Sequence, residues 1–389
     1  MLPALIARYA DRLHAAIGSD HHVASPLGAW LVLALAAGAR PDPALEDALG
    51  CSAADARGYA SALLEKPHPA VGAAAAVWTR ADRRTPALQA WEAGLSAAVE
   101  RGPVPSQADA DAWTAGRTGG LIEKFPLPLD AQTVLVLASA LATDVDWAEP
   151  FEDVPASALG RTDWELTTVL RSAPTHQAWI AADPEAGDIA VHRAASGDAE
   201  PISVVSVIAA PDVPPLTVLR AAHRAADDDR RSLFDLPLGD GHAWTLAEEP
   251  VRTTSRTGRE ERCEAILPAW DAESTHDLMD AGFREAAAAL FSLLAPEDDL
   301  EAEAVQTALA RYTKTGFAAA AVTALGVRSL SYVEPRDGVR RTATLRFGRP
   351  YAVVAVANQP GGPWDRVPVF SAWVTQPSGP TPPTHPPRT

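Results

Sequence analysis

The chain has 389 residues, 47% of them hydrophobic, and a formal net charge of −17. That apolar content permits a large core, while the acid excess argues against nucleic acid or an anionic membrane as partner, because both demand a basic face. The only cysteines, Cys51 and Cys263, are too few for a disulfide framework or a thiolate zinc site and read as free thiols.

Leu2, Leu5, Ile6, Tyr9, Leu13 and Ile17 recur at helical spacing with Arg8, Asp11 and Arg12 between them, which predicts an amphipathic helix. A secretory signal needs an uninterrupted apolar stretch behind a basic start. On that ground the sequence reads as cytoplasmic. The longest apolar run, Leu27 to Ala39, follows a Ser-Pro start suited to a buried helix and falls short of the roughly 20 residues that span a bilayer.

Up to residue 130 the pattern is helical, broken by Arg40-Pro-Asp-Pro43 and Gly102-Pro-Val-Pro105. From Thr133 the run Thr-Val-Leu-Val-Leu-Ala has the continuous apolar character of a strand covered on both faces. Further strands are expected at Ile202–Ile208, Cys263–Leu267, Val305–Tyr312, Thr342–Phe347, Ala352–Val356 and Val369–Val374, with helices at Val218–Arg224 and Leu278–Leu294. With no flexible linker and no repeat, residues 1–377 read as one mixed α+β domain. The Pro-rich tail 378–389 lacks the apolar content to fold and is expected to be disordered.

A nucleophile with its base, a metal cluster or a phosphate cradle would announce an enzyme, and none of their motifs occurs. The chain therefore reads as a non-enzyme with no cofactor and no metal. Gly239-Asp-Gly241 is expected to be a hairpin turn, His21-His22 a solvated loop pair, and the runs Asp227–Asp229 and Glu297–Asp299 solvated surface.

A set of segments in fixed order points further. Ser25-Pro26-Leu27 opens the second helix; Ala75-Ala-Val77-Trp78, Trp113, Thr118-Gly-Gly-Leu-Ile122 and the strand from Thr133 follow, the last leading to Trp147-Ala-Glu-Pro-Phe151. Next come Leu267-Pro-Ala-Trp270, Thr275-His-Asp-Leu278 and Gly282-Phe283. The chain then runs Glu303–Thr313, Lys314-Thr-Gly-Phe-Ala-Ala-Ala-Ala-Val-Thr-Ala324, a patternless stretch, Phe347-Gly-Arg-Pro-Tyr351 and Pro368–Val374. This order resembles the serpin family over most of the chain, with only residues 152–260 matching loosely. The resemblance implies a helix-rich N-terminal part, a large central mixed sheet, smaller sheets and an exposed reactive loop at about 317–344. It also implies a monomeric serine protease inhibitor that traps its target as a suicide substrate, and it admits an extracellular site.

In such a trap the loop is cut, and its upstream half inserts as a new strand of the main sheet. Each added ladder bond contributes on the order of 1 kcal/mol net, so a strand with two neighbours releases roughly 10 kcal/mol. Gly316, Phe317, Ala318, Ala319, Ala320, Ala321 and Thr323 would form the hinge. Ser25, Ser139 and Gln306 would form a latch under the sheet, Ser139 and Gln306 standing where the family frequently has Asn and His. The family's spacing from the hinge glycine sets the reactive bond at Leu330-Ser331, suited to chymotrypsin-like or subtilisin-like proteases. Counting back from Phe347 sets it instead near Val339-Arg340, and Arg328, Arg336, Arg340 and Arg341 admit a trypsin-like target. Phe317 stands where the family's inhibitors carry Thr or Ser, and Lys314-Thr315 where a Glu is usual. A bulky ring opposes insertion into a closed sheet by about 1–3 kcal/mol. The alternative is therefore a non-inhibitory binding or structural protein of the same fold whose loop is cut as a substrate.

Overall fold

The computed structural model describes residues 1–199, 201–225, 230–295, 300–317 and 336–378. In chain order these form α1 (Leu2–Ile17), β1 (His22–Ala24), α2 (Pro26–Ala36), α3 (Pro43–Leu49), α4 (Ala53–Glu65), β2 (Gly72–Thr79), α5 (Pro86–Ala93), β3 (Glu100–Gly102) and α6 (Gln107–Arg117). Then come β4 (Leu135–Ala142), β5 (Val145–Asp146), β6 (Glu152–Pro155), β7 (Thr168–Arg171), β8 (Gln177–Asp183), β9 (Gly187–Ala195), β10 (Ile202–Ile208), α7 (Pro215–Arg224), β11 (Gly239–Asp240), β12 (Trp244–Thr253) and β13 (Arg259–Leu267). The last elements are β14 (Trp270–Asp277), α8 (Phe283–Phe291), β15 (Val305–Tyr312), β16 (Gly316–Phe317), β17 (Arg336–Arg346), β18 (Tyr351–Ala357) and β19 (Val367–Val374).

Contacts group these elements into two units, each discontinuous in sequence: residues 1–143, 272–310 and 355–371 form the first, and 144–271, 311–354 and 372–389 the second.

The first unit begins with helices whose starts are written in the sequence. Ser25, Asp42, Ser52, Thr85 and Ser106 each accept main-chain N–H bonds at a helix N-terminus, three of them followed by Pro at the first turn. Strands β2 and β4 pair antiparallel from Gly72↔Ala142 to Thr79↔Leu135, with β3 on the far side of β2. Both faces of this ribbon are covered, which explains why β4 reads as an unbroken apolar run. Ala75, Val77, Leu135 and Leu137 pack with Leu35, Leu88 and Trp91 on one face; Ala76, Trp78, Val136 and Ala138 pack with Ala110 and Phe125 on the other. Each buried Leu or Val of this kind stabilises by about 1.5–3 kcal/mol.

The second unit carries the antiparallel run β8-β9-β10 and a six-stranded sheet in the order β11-β12-β17-β13-β7-β6. Gly239 to Leu246 form the expected hairpin, closed by Gly241 N–H donating to Trp244 O at 2.8 Å.

Two smaller hydrogen-bonded pieces have the orders β3-β2-β4 and β14-β15. Among the described residues, β4 and β15 thus each have one ladder partner and one open edge. Cys51 and Cys263 are free thiols, both half-buried, and burial pushes the Cys263 thiol up to about 12. No helix among the described residues is long and apolar enough to cross a membrane, and no His, Cys, Asp and Glu cluster there has the makings of a metal site.

Candidate functional site

Gly316, the expected hinge glycine, lies in the second unit. Strand β16 pairs antiparallel with β5, Gly316 opposite Asp146 and Phe317 opposite Val145. The backbones approach so closely that a Cβ on Gly316 would stand 2.4 Å from the Val145 carbonyl oxygen, which is why only glycine fits. Phe317 is 4% exposed. It is a buried, paired residue, which corrects the expectation that the free loop begins with it.

A reverse turn leads into this pair. Thr313 N–H donates to Gly316 O and Gly316 N–H to Thr313 Oγ1, at 3.0 and 3.2 Å. The strap Val145–Phe151 then grips the turn. Trp147 donates twice, from its ring nitrogen to Thr313 O at 3.0 Å and from its main chain to Thr315 O at 3.1 Å. Phe151 N–H donates to Lys314 O at 2.9 Å, and the Lys314 ammonium pairs with Asp153. Beneath lies an aromatic cluster in which Tyr312 sits 5.1 Å from Trp147, 5.7 Å from Phe151 and stacked at 6.0 Å on Trp270. Burial drives the Tyr312 phenol well above its ordinary range, so the ring stays neutral.

The downstream end of the loop region is fixed as firmly. Strand β17 has neighbours on both sides, pairing with β12 from Trp244↔Leu345 to Thr253↔Arg336 and with β13 from Arg259↔Val339 to Ile266↔Arg346. Val339 and Arg340 lie inside this three-stranded ladder, so the bait position counted back from Phe347 is not on an exposed loop. The strand also replaces loop over residues 336–344. Charge explains it: Arg340 lies between Glu249 and Glu260, and Arg341 pairs with Glu248. Arg336 donates to Ser255 O. A Cβ on Gly338 would meet the Gly258 oxygen at 2.4 Å.

The three residues expected to form a latch lie in the first unit. Gln306 Oε1 accepts from Ser25 N–H at 2.8 Å while its Nε2 donates to Ser25 O at 2.9 Å. Ser25 Oγ donates to Val369 O at 2.8 Å and accepts from Gly28 N–H, and Ser139 Oγ donates to Gly28 O at 2.8 Å. Gln306 and Ser139 therefore meet the start of α2 at different points, Gln306 at the main chain of Ser25 and Ser139 at that of Gly28. Two further residues, not singled out by the sequence, complete the grip. On β14, Ser274 Oγ accepts from Val23 N–H at 3.2 Å and His276 Nε2 donates to Val23 O at 2.8 Å. Their spacing, two apart on one strand face, is the signal that would have found them.

His22 is buried in β1, a correction to the solvated pair expected of His21-His22. Its Nδ1 donates to Asp20 O at 2.8 Å and its Nε2 meets His14 Nδ1 at 2.9 Å, and burial lowers it to about 4. The sequence missed this because His14 lies on α1, eight residues before His22, and nothing in the sequence shows that the chain folds back to bring them together. Ala318, Ala319, Ala320, Ala321, Thr323, Arg328, the Leu330-Ser331 bond, the two acidic runs and the tail from 379 lie outside the described residues.

No protein-family model matches the sequence, and no curated protein matches it either. Solved structures do. Serpin48 of the insect Tenebrio molitor superimposes with a TM-score of 0.62 at 15% identity, over 97% of this chain and 98% of that one. The thermophilic serpin tengpin in its native state gives 0.60 at 16% identity, over 96% and 93%. Thyroxine-binding globulin in complex with thyroxine gives 0.60 at 14% identity, over 97% and 99%. The chain has the serpin fold.

Proposed function

We propose that this chain inhibits a serine protease by suicide trapping, its loop inserting beside β4 after cleavage. The observation that carries the reading is the pairing of Gly316 and Phe317 with Asp146 and Val145, together with the open edges of β4 and β15. Continued in the same antiparallel register, that ladder sets Ala320 against Ala142 and Val327 against Leu135, so the small residues after Phe317 meet the whole of β4. Cleavage at Leu330-Ser331 leaves this inserting segment intact. Of the arginines that admitted a trypsin-like target, Arg336, Arg340 and Arg341 are engaged in β17, which favours a protease with an apolar specificity pocket.

The second reading, a non-inhibitory binding protein, is favoured by Phe317, whose ring must travel with the inserting strand, and thyroxine-binding globulin shows the same fold binding a small molecule. One experiment separates them. The chain is incubated with chymotrypsin, subtilisin and trypsin, and each mixture is run on a denaturing gel and melted. A covalent complex, with a large rise in melting temperature after cleavage, supports the trap. A cut chain with no complex and an unchanged melting temperature overturns it.

A further inference from the structure

The strap that grips the hinge is itself held by two histidines, and the direction of each hydrogen bond between them is fixed by chemistry. A carbonyl only accepts, so His176 Nε2 donates to Glu149 O, at 2.8 Å. Nδ1 of that neutral ring is then an acceptor, and His192 Nε2 donates to it at 3.2 Å. His192 is fully buried, and its Nδ1 has no hydrogen-bond partner. The pair has no room for a further proton. One on His176 Nδ1 would set N–H against N–H or force His192's own proton onto its unpartnered Nδ1, and one on His192 would set a charge at that same unpartnered nitrogen.

Every element packed around the pair is poor in compensating charge. The strap supplies Asp146 and Glu149, the Glu149 carboxylate already accepting from Thr175 Oγ1 at 2.8 Å. The hinge supplies Lys314, paired with Asp153. Strands β15 and β18 supply the neutral phenols Tyr312 and Tyr351. On β10, Ser206 lies opposite His192, and next to it on β9 Arg193 bonds Gln177. The ring of Phe151, 4.5 Å from that of His176 and 5.5 Å from that of His192, closes the site. Glu149 alone favours a charged His176, and burial of both imidazoles outweighs it, lowering both.

We propose that His176 and His192 are an acid-sensitive release for the hinge, an inference that rests on reading Gly316 as the start of an inserting loop. Proton uptake breaks the His192–His176 bond and turns His176 toward water and the Glu149 carboxylate. Glu149 O then loses its donor, Phe151 loses its edge contact, and the bonds from Trp147 and Phe151 to residues 313–315 go with them. Acid therefore frees the loop's upstream end without any cut.

The test is amide hydrogen exchange on the uncut chain at about pH 7.5 and about pH 5.5, corrected for intrinsic rates. Protection of the Trp147 and Phe151 amides should fall about tenfold for each pH unit over which one proton is taken up, while amides of the β12–β17 ladder keep theirs. In His176→Gln the side-chain amide still donates to Glu149 O but does not titrate, so the fall should shrink to what His192 alone contributes. Equal protection at both pH values, or a fall undiminished in His176→Gln, overturns the proposal. Should that variant not fold, an NMR titration of the wild-type ring decides: protection lost while His176 stays neutral overturns it, and loss in step with its protonation supports it. No protease takes part, so failure of the trap leaves this outcome readable.

Discussion

Gln306 holds both main-chain groups of Ser25, accepting from its N–H at 2.8 Å and donating to its carbonyl at 2.9 Å. From β15 the side chain thereby supplies an acceptor for the Ser25 N–H, which as the cap of α2 has none in the helix, and a second donor to the carbonyl that already accepts from Ala29 N–H at 3.2 Å. Replacing it with Ala leaves both groups without that partner, and Gln306→Ala should lose about 1–3 kcal/mol in urea denaturation. Gln306→Glu keeps one acceptor and sets a carboxylate oxygen against the Ser25 carbonyl, so it should lose more. Equal stability of Ala and wild type would show that water replaces the amide.

Much of this arrangement was legible in the sequence, for local reasons. Ile202–Ile208 falls on its predicted residues because its apolar residues crowd together, Val305–Tyr312 because Ala308, Ala310 and Tyr312 alternate along it, and Ser25-Pro26 opens α2 because cap and first turn are written in adjacent residues. What escaped was non-local. Nothing near Arg340 announces that Glu249 and Glu260 flank it from strands 91 and 80 residues away, so residues 336–344 read as loop. The Asp153 partner of Lys314 was hidden in the same way. Strand β14 was obscured because Thr275-His-Asp-Leu278 sits beside a helix and its alternate side chains are spent on Val23 rather than on a core.

Gly316 is tested by one added methyl group. In Gly316→Ala the new Cβ would stand 2.4 Å from the Val145 oxygen, against backbone that has no rotamer to change. The pair β5–β16 must separate, at a cost of about 1–3 kcal/mol. With the turn released from the strap, trypsin should cut after Lys314 faster than in the wild type, and the melting temperature should fall. Unchanged tryptic cleavage would mean that Trp147 and Phe151 hold the turn without help from β16.

The buried histidines predict how stability depends on pH. His22 is held neutral, lowered by burial from 6.5 to about 4, while in the unfolded chain it titrates at its ordinary value. A group depressed on folding contributes fully above its unfolded value and loses that contribution as pH falls, here between about 6.5 and 4. Each unit of that window lowers stability by up to about 1.4 kcal/mol per such histidine, roughly 3 kcal/mol across it. His22→Gln removes one titrating ring, so its unfolding free energy, followed by urea melts from neutral to acid pH, should fall less steeply than that of the wild type. Parallel curves would show that His22 keeps its ordinary affinity for protons in the fold.

Phe317 is where stability and trapping pull apart. Its ring is buried in the uncut chain, so Phe317→Thr removes native packing and should lower stability by about 2–4 kcal/mol, the range for emptying an aromatic site. On the proposed trap the same ring must leave that site and enter a tight sheet, so its removal both raises the starting level and eases the path. Insertion competes with hydrolysis of the acyl-enzyme, and every 1.4 kcal/mol taken from its barrier speeds it about tenfold. The variant should therefore melt lower yet trap more protease per molecule cut, which titration of a fixed amount of chymotrypsin measures as a smaller number of chains consumed per enzyme inhibited. A variant that melts lower and is only cut faster would place the obstacle to insertion elsewhere than in this ring.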